Sequence, residues 1–245
     1  MAAPPPPVVV PAPAALKAQC ERLVLALTPA ENIQSQVDQL MAAFVGAMQT
    51  QNQDFMGLEK RYPGLIDAVA VKMRPILVKT ATETLPLYRA DLLQFYQSNL
   101  SLEDARAAAD FFGSSDGQAL IRSATESIDY KRSAGALMRE EDASAKDIEA
   151  DKRSAGLKVA QDLSPKLRIQ VMTFFRTPAG QRLIALGPAK SAIDRKWFNY
   201  SRPEDEKAVE MATIEAMLEH IAKTDPATAK AMRASLVADG TIPKS

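Results

Sequence analysis

Few side chains in this sequence have the types and spacing that chemistry requires. The 245 residues include one cysteine, Cys20, and one histidine, His220, and nucleophilic thiol catalysis needs these two residue types side by side. Each lies in a stretch whose apolar residues recur at helical spacing. We therefore predict a partly buried thiol at Cys20 and a half-buried or surface imidazole at His220, with no catalytic role for either.

Disulfide formation and metal binding are limited by the same composition. A single cysteine excludes an internal disulfide framework, although it leaves an intermolecular disulfide open in an oxidising compartment. His220 alone does not form a metal site of the usual kind. Glu140, Glu141 and Asp142 form a charge cluster without a base or a ligand partner. We therefore expect no metal site and no cofactor.

Sequence motifs of the common enzyme classes do not occur in the chain. It contains no phosphate-binding loop, dinucleotide glycine fingerprint, H-E-x-x-H pattern or G-x-S-x-G pattern. Carboxylates that are distant in sequence can still meet in a fold, so the sequence leaves enzymatic activity open. We assign no catalytic and no cofactor-binding residue, and we expect a non-catalytic protein.

A short segment occurs twice in the chain, with an offset of 63 residues. F-F-G-S-S-D-G-Q-A-L-I spans 111–121, and F-F-R-T-P-A-G-Q-R-L-I spans 174–184. Because a repeat defines the unit of architecture, we predict a helical hairpin used twice, as a first copy (101–127) and a second copy (164–190). The motif residues, which either stabilise a turn or line a groove, are Phe111, Phe112, Gly117, Gln118, Leu120, Phe174, Phe175, Thr177, Pro178, Gly180, Gln181, Arg182 and Leu183.

Each copy carries the start signals of two helices. In the second copy, serine or threonine is followed by proline at 164–165 and at 177–178, which is the combination of an N-cap with proline at the first helical position. The first copy offers Ser101, and then Ser114 or Ser115, as caps. Each copy is therefore predicted to be a helix, a tight turn and a second helix.

A glycine and a glutamine follow each turn. Gly117 and Gly180 fall in the first turn of the second helix, where glycine costs about 1 kcal/mol relative to alanine. We therefore predict that the Phe-Phe helix passes close to each glycine. Gln118 and Gln181 are expected to bond a free backbone group at the turn, and a polar pocket around the two glutamines is the functional alternative.

The second copy resembles a known family. Its residues 174–184 match the pattern F-[FY]-x-[ST]-P-x-G-[QK]-[KR]-[LI] of the domain of unknown function 2059 family of bacterial proteins. The first copy departs from this pattern, with Ser115 where proline is usual and Gly113 in the turn. The resemblance covers about 85–200. It implies an all-helical, usually exported protein, so it favours a periplasmic or secreted location, and it brings no catalytic residues.

Composition and pattern define the class of fold. The chain is 47% hydrophobic, and Lys plus Arg and Asp plus Glu are equal at 30 each, which argues against a nucleic-acid partner. Abundant alanine and helical periodicity predict an all-α multi-helix bundle that contains the duplicated hairpin. No stretch is long and apolar enough to span a bilayer. We predict one helical domain over 15–240.

The two ends of the chain are expected to lie outside that domain. Residues 1–14 are rich in proline and alanine, which predicts a disordered tail, and 241–245 are expected to be a flexible C-terminus. The start of the chain as given lacks the basic residues and continuous apolar segment of a signal peptide. The sequence alone therefore does not support the exported location that the resemblance favours.

Proline and glycine predict breaks in several helices. We expect 65–80 to be helical but kinked or split at Pro75, and a new helix to begin at Pro86. The last helix of the second copy is expected to stop at Gly187-Pro188. These positions would divide the molecule into many short helices.

Two further segments carry specific predictions. Thr28-Pro29-Ala30-Glu31 has the pattern of a capping box that opens the next helix. The segment 129–162 between the copies is rich in charges of both signs and has few large apolar residues. A helix with so narrow an apolar stripe is either solvent-bridging or loosely attached, so we expect one of these two arrangements for the charged segment.

Two functions from different classes fit these observations. The first is a protein–protein interaction or structural module of the bacterial envelope, with an unknown protein partner and a polar band at Arg176, Arg182 and Lys190. The alternative is a binding protein for a small apolar or amphipathic ligand, held in a groove between the hairpins near the aromatic residues. A cavity bounded by both Phe-Phe pairs would favour the ligand, and a dense core with an exposed apolar patch would favour the partner.

Overall fold

The regular secondary structure of the protein is helical throughout the residues that the computed structural model describes, which are 13–139 and 141–243. The predicted all-α bundle is therefore confirmed. The helices are α1 Pro13–Leu27, α2 Ile33–Gln51, α3 Gln53–Arg61, α4 Leu65–Asn99, α5 Leu102–Gly113, α6 Ser115–Ser127, α7 Lys131–Leu137, α8 Ala145–Asp162, α9 Pro165–Phe175, α10 Pro178–Phe198, α11 Pro203–Ala222 and α12 Pro226–Ala238.

The ends of the chain are only partly described. The first twelve residues of the predicted tail lie outside the described residues, and α1 already begins at Pro13. At the other end, Ile242 is buried, while 244 and 245 lie outside the described residues. The predictions for both ends stay predictions.

Two prolines expected to break the chain lie inside one helix. Residues 65–99 form the single 35-residue helix α4, which contains Pro75 and Pro86, so the predicted split at Pro75 and the new start at Pro86 were wrong. Each proline removes a hydrogen bond to the carbonyl four residues earlier. Those carbonyls belong to Val71 and Thr82, which are both exposed, so water can solvate them.

The same explanation applies to the second copy. The helix α10 was expected to stop at Gly187-Pro188, but it continues through Pro188 to Phe198. The carbonyl that loses its hydrogen bond belongs to Ile184, which is 54% exposed. The continuation matters for the site because the last turns of α10 carry Asp194.

Thr28 does not cap the helix that follows it. Its hydroxyl donates to Val24 O at 2.7 Å, in the last turn of α1, and accepts from Arg89 Nε at 3.0 Å. A short 3-10 turn at Ala30–Asn32 precedes α2, and Pro29 provides no side-chain cap. The predicted capping box was wrong because the threonine hydroxyl is already bound on the preceding helix.

The charged segment 129–162 is attached to the bundle through small residues. In α7 the residues 133–136, Ser-Ala-Gly-Ala, are buried, and α7 packs on α2 while α8 packs on α6. Asp151 of α8 accepts from Ser133 N at 3.0 Å and Ser133 Oγ at 2.7 Å. The expectation of a loosely attached segment was therefore wrong, because small side chains allow close helix approach without large apolar residues.

Two core clusters share the long helix α4. The first core cluster joins α1, α4, α5, α9 and α10 and includes Cys20, Leu92 and Tyr96. The second core cluster joins α2, α4, α11 and α12 and includes Leu65 and Ile221. Both copies contribute to the first core cluster, so the repeated motif lies at that end of the bundle.

Candidate functional site

The turn of the first copy is closed by Ser114. Its hydroxyl accepts from Gly117 N at 3.1 Å and donates to Phe111 O at 2.6 Å. A Cβ atom added to Gly117 would lie 2.1 Å from Phe111 O and 2.6 Å from Phe112 Cα. Because these neighbours are backbone atoms, no side-chain movement could relieve the overlap.

The turn of the second copy has the same geometry. Thr177 Oγ1 accepts from Gly180 N at 3.2 Å and donates to Phe174 O at 2.7 Å, and Pro178 occupies the first turn of α10. A Cβ atom on Gly180 would lie 2.3 Å from Phe174 O and 2.6 Å from Phe175 Cα. The predicted close approach of the Phe-Phe helix is therefore confirmed at both glycines.

The two glutamines differ in what they bind. Gln118 Nε2 donates to Phe112 O at 2.6 Å and also to Ala26 O at 2.9 Å, near the end of α1. Gln181 Nε2 donates to Phe175 O at 2.5 Å, which is the equivalent of the first bond. The predicted bond to a turn carbonyl is confirmed in both copies, and the first copy adds a contact to α1.

The two Phe-Phe pairs meet face to face. Phe111 and Phe174 stack with ring centroids 4.0 Å apart and planes 1° apart, and Phe112 lies edge-on to Phe174 at 5.5 Å. Phe111 and Phe174 occupy equivalent positions in the two copies. In addition, α5 contacts α10 and α6 contacts α9. Reciprocal contacts of this kind occur at two-fold interfaces.

An apolar groove lies beside the stacked rings. Its volume is about 200 Å³, and Phe112 and Phe175, one from each pair, face it. Lys190 is the one charged residue in the lining, which otherwise consists of Leu27, Tyr96, Leu183, Ile184 and Leu186. The second phenylalanine of each pair therefore faces the groove, whereas the first fills the space between the copies.

Leu120 and the three basic residues predicted to form a polar band lie in different parts of the structure. Leu120 packs against the first core cluster. Arg182 is exposed and donates from Nε to Asn99 O at 3.1 Å, and Arg176 is exposed. Lys190 points to a charged cluster at one end of the groove instead of forming a continuous band with the two arginines.

That cluster centres on Asp194 of α10. Its carboxylate accepts from Lys152 Nζ at 2.5 Å, Lys190 Nζ at 2.8 Å and the Tyr88 hydroxyl at 2.7 Å. Burial raises the pKa of Asp194, but the attraction of Lys190 and Lys152 outweighs it, so the pKa lies below its usual value. Two lysines share one carboxylate, which leaves a positive charge beside the groove.

Sequence reasoning missed this cluster. Tyr88 lies 106 residues and Lys152 lies 42 residues from Asp194, and such partners give no local signal. Lys190 and Asp194 are four residues apart on one helix, a spacing that predicts a side-chain pair. The predicted stop at Pro188 hid this signal, because it ended the helix before either residue.

A larger cleft on the same helix is polar. It has a volume of about 510 Å³ and includes Ala143, Arg195, Lys196 and Asn199. The Asn199 amide accepts from Ala143 N at 3.0 Å and donates to Ala143 O at 3.1 Å. Its central polar group is therefore engaged in holding the loop before α8.

Cys20 and His220 lie in different core regions and do not form a catalytic pair. Cys20 belongs to the first core cluster, and burial raises the pKa of its thiol to about 11, so the reactive thiolate is disfavoured. The ring of His220 lies 3.0 Å from Pro63 O, beside the second core cluster. Glu140 lies outside the described residues. Within residues 13–139 and 141–243, no three metal-binding side chains form a cluster.

The equivalent faces of α5 and α9 differ in exposure. On α5, the face toward α1 consists of buried residues: Ala105, Ala108, Ala109 and Phe112. The corresponding positions on α9 are exposed or only partly buried: Arg168, Val171, Met172 and Phe175. One face of the repeated helix is thus covered in the first copy and open in the second.

Comparison with known proteins adds no relative: no protein-family model, curated protein or solved structure matches this chain. Among the described residues, none of the helices combines the length and apolar character of a membrane span. The fold and the site define an all-α helical bundle in which one copy of a turn motif is covered by a helix and the other has a partly exposed face at the equivalent positions.

Proposed function

We propose that this chain is a non-catalytic helical protein that binds a protein partner through its second copy, as an interaction or structural module of the bacterial envelope. One observation carries the proposal: the α9 positions that correspond to the buried face of α5 are exposed at Arg168 and Met172 and only half-buried at Val171 and Phe175. Membership of the domain of unknown function 2059 family, and the periplasmic or secreted location that it implies, are part of the same proposal.

The exposed residues of the second copy form a continuous surface, which we call the α9 face. Ile169 is 66% exposed and Met172 is 48% exposed, and their spacing of three residues puts them on one side of the helix. Phe175 follows three residues later and lines the groove together with Ile184, which is 54% exposed. Contiguous apolar surfaces of this kind mark interaction sites in soluble proteins.

Burial of the α9 face under a protein partner would lower the free energy relative to its exposure to water. Complete burial of a side chain such as Ile169 or Met172 contributes about 1.5–3 kcal/mol. Because Ile169 and Met172 are 66% and 48% exposed, a partner that covers the α9 face gains roughly half to two-thirds of such a contribution from each of them.

Affinity capture tests this proposal with two matched variants. The full chain is immobilised and exposed to an extract of its source cells under mild conditions, beside Met172→Glu and Val71→Glu. Val71 is a 71% exposed apolar residue on α4, outside the α9 face. We expect the wild type and Val71→Glu to retain the same protein and Met172→Glu to lose it. Equal retention by all three would refute binding through the α9 face.

A second candidate function rests on the apolar groove. Its lining consists of seven apolar or aromatic residues and one charged residue, Lys190. Such a lining suits a small amphipathic ligand with an anionic head group. Native mass spectrometry of the protein purified from its source should then show an added mass of a few hundred daltons that is lost on denaturation. A bare mass would leave the protein partner as the function of the second copy.

A further inference from the structure

We propose that the partner of the second copy is an acidic amphipathic α-helix, which packs on the α9 face as α1 packs on α5 and ends beside Gln181. This inference rests on the proposed function and names the chemistry of the partner. It follows from the structure of the first copy, in which the helix α1 already packs on the equivalent face of α5.

In the first copy, α1 acts as the bound helix. Its residues Cys20 and Leu23 are completely buried in the first core cluster together with the alanines of α5. Arg22 of α1 forms an ion pair with Asp110 of α5 at 2.8 Å. The end of α1 is held by Gln118, whose amide donates to Ala26 O. The last four carbonyls of a helix lack partners within it, so this bond satisfies one of them.

The neighbours of α9 match those of α5 except for α1. The contacts of α5 with α10 and of α6 with α9 are those expected if a local two-fold relation exchanges α5 with α9 and α6 with α10. In the described structure α5 packs on α6, α10 and α1, and the extensive contacts of α9 are with α10 and α6. The position equivalent to that of α1 is thus the one that no described helix takes, and it is the position of the exposed α9 face.

Gln181 provides a second and independent observation. Gln118 uses its amide nitrogen twice, once for the turn carbonyl and once for the end of α1. In the described structure Gln181 is exposed and its amide nitrogen makes only the turn bond. A glutamine amide has two donor hydrogens, so Gln181 retains one for the carbonyl of an incoming helix end.

Charge indicates which kind of helix fits. The first copy contains five acidic and two basic residues, and the helix that covers it carries Lys17 and Arg22 against a single glutamate. The second copy contains five basic residues and no acidic residue: Lys166, Arg168, Arg176, Arg182 and Lys190. Of these, Arg168 lies at a position equivalent to the covered face of α5. Because complementary charge across an interface selects the partner and accelerates association, we expect the helix bound by the second copy to be acidic.

The size of the α9 side chains indicates which residues the partner helix places against them. The α5 positions that face α1 are alanines, and α1 fills the space with large residues such as Leu23. The equivalent α9 positions include Val171 and Met172, which already occupy that space. Helices pack with their axes about 8–10 Å apart, so the partner helix should place small residues against α9.

The test uses two synthetic peptides of known sequence against the full chain. Both copy Pro13–Leu27, carry Cys20→Ala and Leu23→Ala so that small residues face α9, and are labelled with fluorescein. The acidic peptide also carries Lys17→Glu and Arg22→Glu. Fluorescence anisotropy at low salt should show that the acidic peptide binds at least about tenfold more tightly than the unchanged peptide. Added salt should weaken the binding, because exposed charges are screened.

Two variants locate the bound peptide. Met172→Glu should reduce the affinity of the acidic peptide by more than about tenfold, and Gln181→Ala should reduce it several-fold because one hydrogen bond to the helix end is lost. Val71→Glu should leave it unchanged. Equal affinity of both peptides, or equal binding by Met172→Glu, would overturn the inference.

The failure of this inference can be told apart from that of the proposed function. If neither peptide binds but affinity capture still retains a protein that Met172→Glu loses, the α9 face has a partner that is not an acidic helix. If both experiments fail, both proposals fall. Sedimentation equilibrium adds one more outcome: a dimer that Met172→Glu dissociates would assign the α9 face to a second copy of this chain and overturn the acidic helix.

Discussion

The first and second copies share their turn and differ in what lies on top of it. In both, a hydroxyl residue caps the second helix, and a glycine lies against the backbone of the Phe-Phe helix. In the first copy, the alanine-lined face of α5 is closed by α1, whereas the equivalent face of α9 is open. The motif therefore fixes the angle between two helices, and the residues outside it decide what those helices bind.

The largest expected effect separates the covered face from the open one. Ala109 and Met172 are equivalent positions, 1% and 48% exposed. We expect Ala109→Glu to destabilise the protein by about 4 kcal/mol, since it buries an unpaired charge under α1. Met172→Glu should change stability by less than about 0.5 kcal/mol. Urea denaturation measures both, and a similar cost at the two positions would contradict the difference between the copies.

The next effect tests what the copies have in common. Gly117→Ala and Gly180→Ala should each cost about 2–3 kcal/mol, because the new Cβ atom overlaps backbone atoms that cannot move aside. Gly156→Ala is the control: nothing lies within 4 Å of its Cβ position in α8. It should stabilise the helix by about 1 kcal/mol. The melting temperatures of the three variants measure these effects. If Gly117→Ala and Gly180→Ala melt at the temperature of the wild type, the close approach of each glycine to the Phe-Phe helix is refuted.

The glutamines should show a smaller difference. Gln118→Ala removes two hydrogen bonds, including the one that holds the end of α1, and should cost about 2 kcal/mol. Gln181→Ala removes one bond at an exposed site and should cost less than about 1 kcal/mol. Chemical denaturation under identical conditions measures the free energy of unfolding of both variants. A greater loss for Gln181→Ala would reverse the assignment of the extra contact.

The smallest effect concerns pH. Asp194 anchors α10 through Lys152 and Lys190, and its pKa is lowered in the folded protein. Its contribution to stability is therefore present above the unfolded pKa near 3.8 and is lost as pH falls through the lower folded pKa. Stability measured between pH 7 and pH 2 should fall less steeply in Asp194→Asn than in the wild type. Lys152→Met, which leaves one lysine, should be intermediate, and three equal slopes would contradict the cluster.

Much of the turn could be predicted because its determinants are local. Ser101, Ser164 and Thr177 cap helices as their sequence signals indicate, and the two glycines meet the helix only six residues before them. The prolines at 75, 86 and 188 were misjudged because local rules include the lost hydrogen bond but omit the exposed position, in the packed structure, of the residues whose carbonyls lose it. Thr28 failed as a cap for a similar reason, since Arg89, 61 residues away, shares its hydroxyl.

The all-α architecture and the geometry of both turns follow from the amino-acid sequence. Those features depend on backbone hydrogen bonding and steric contact within about ten residues, which the pattern of caps, glycines and apolar positions encodes directly. Three further features follow from the packing of the helices: α1 covers the first copy, Asp194 binds two lysines, and the α9 face is open. Each of these depends on which helices meet, and that choice is made by the whole core and not by any one segment.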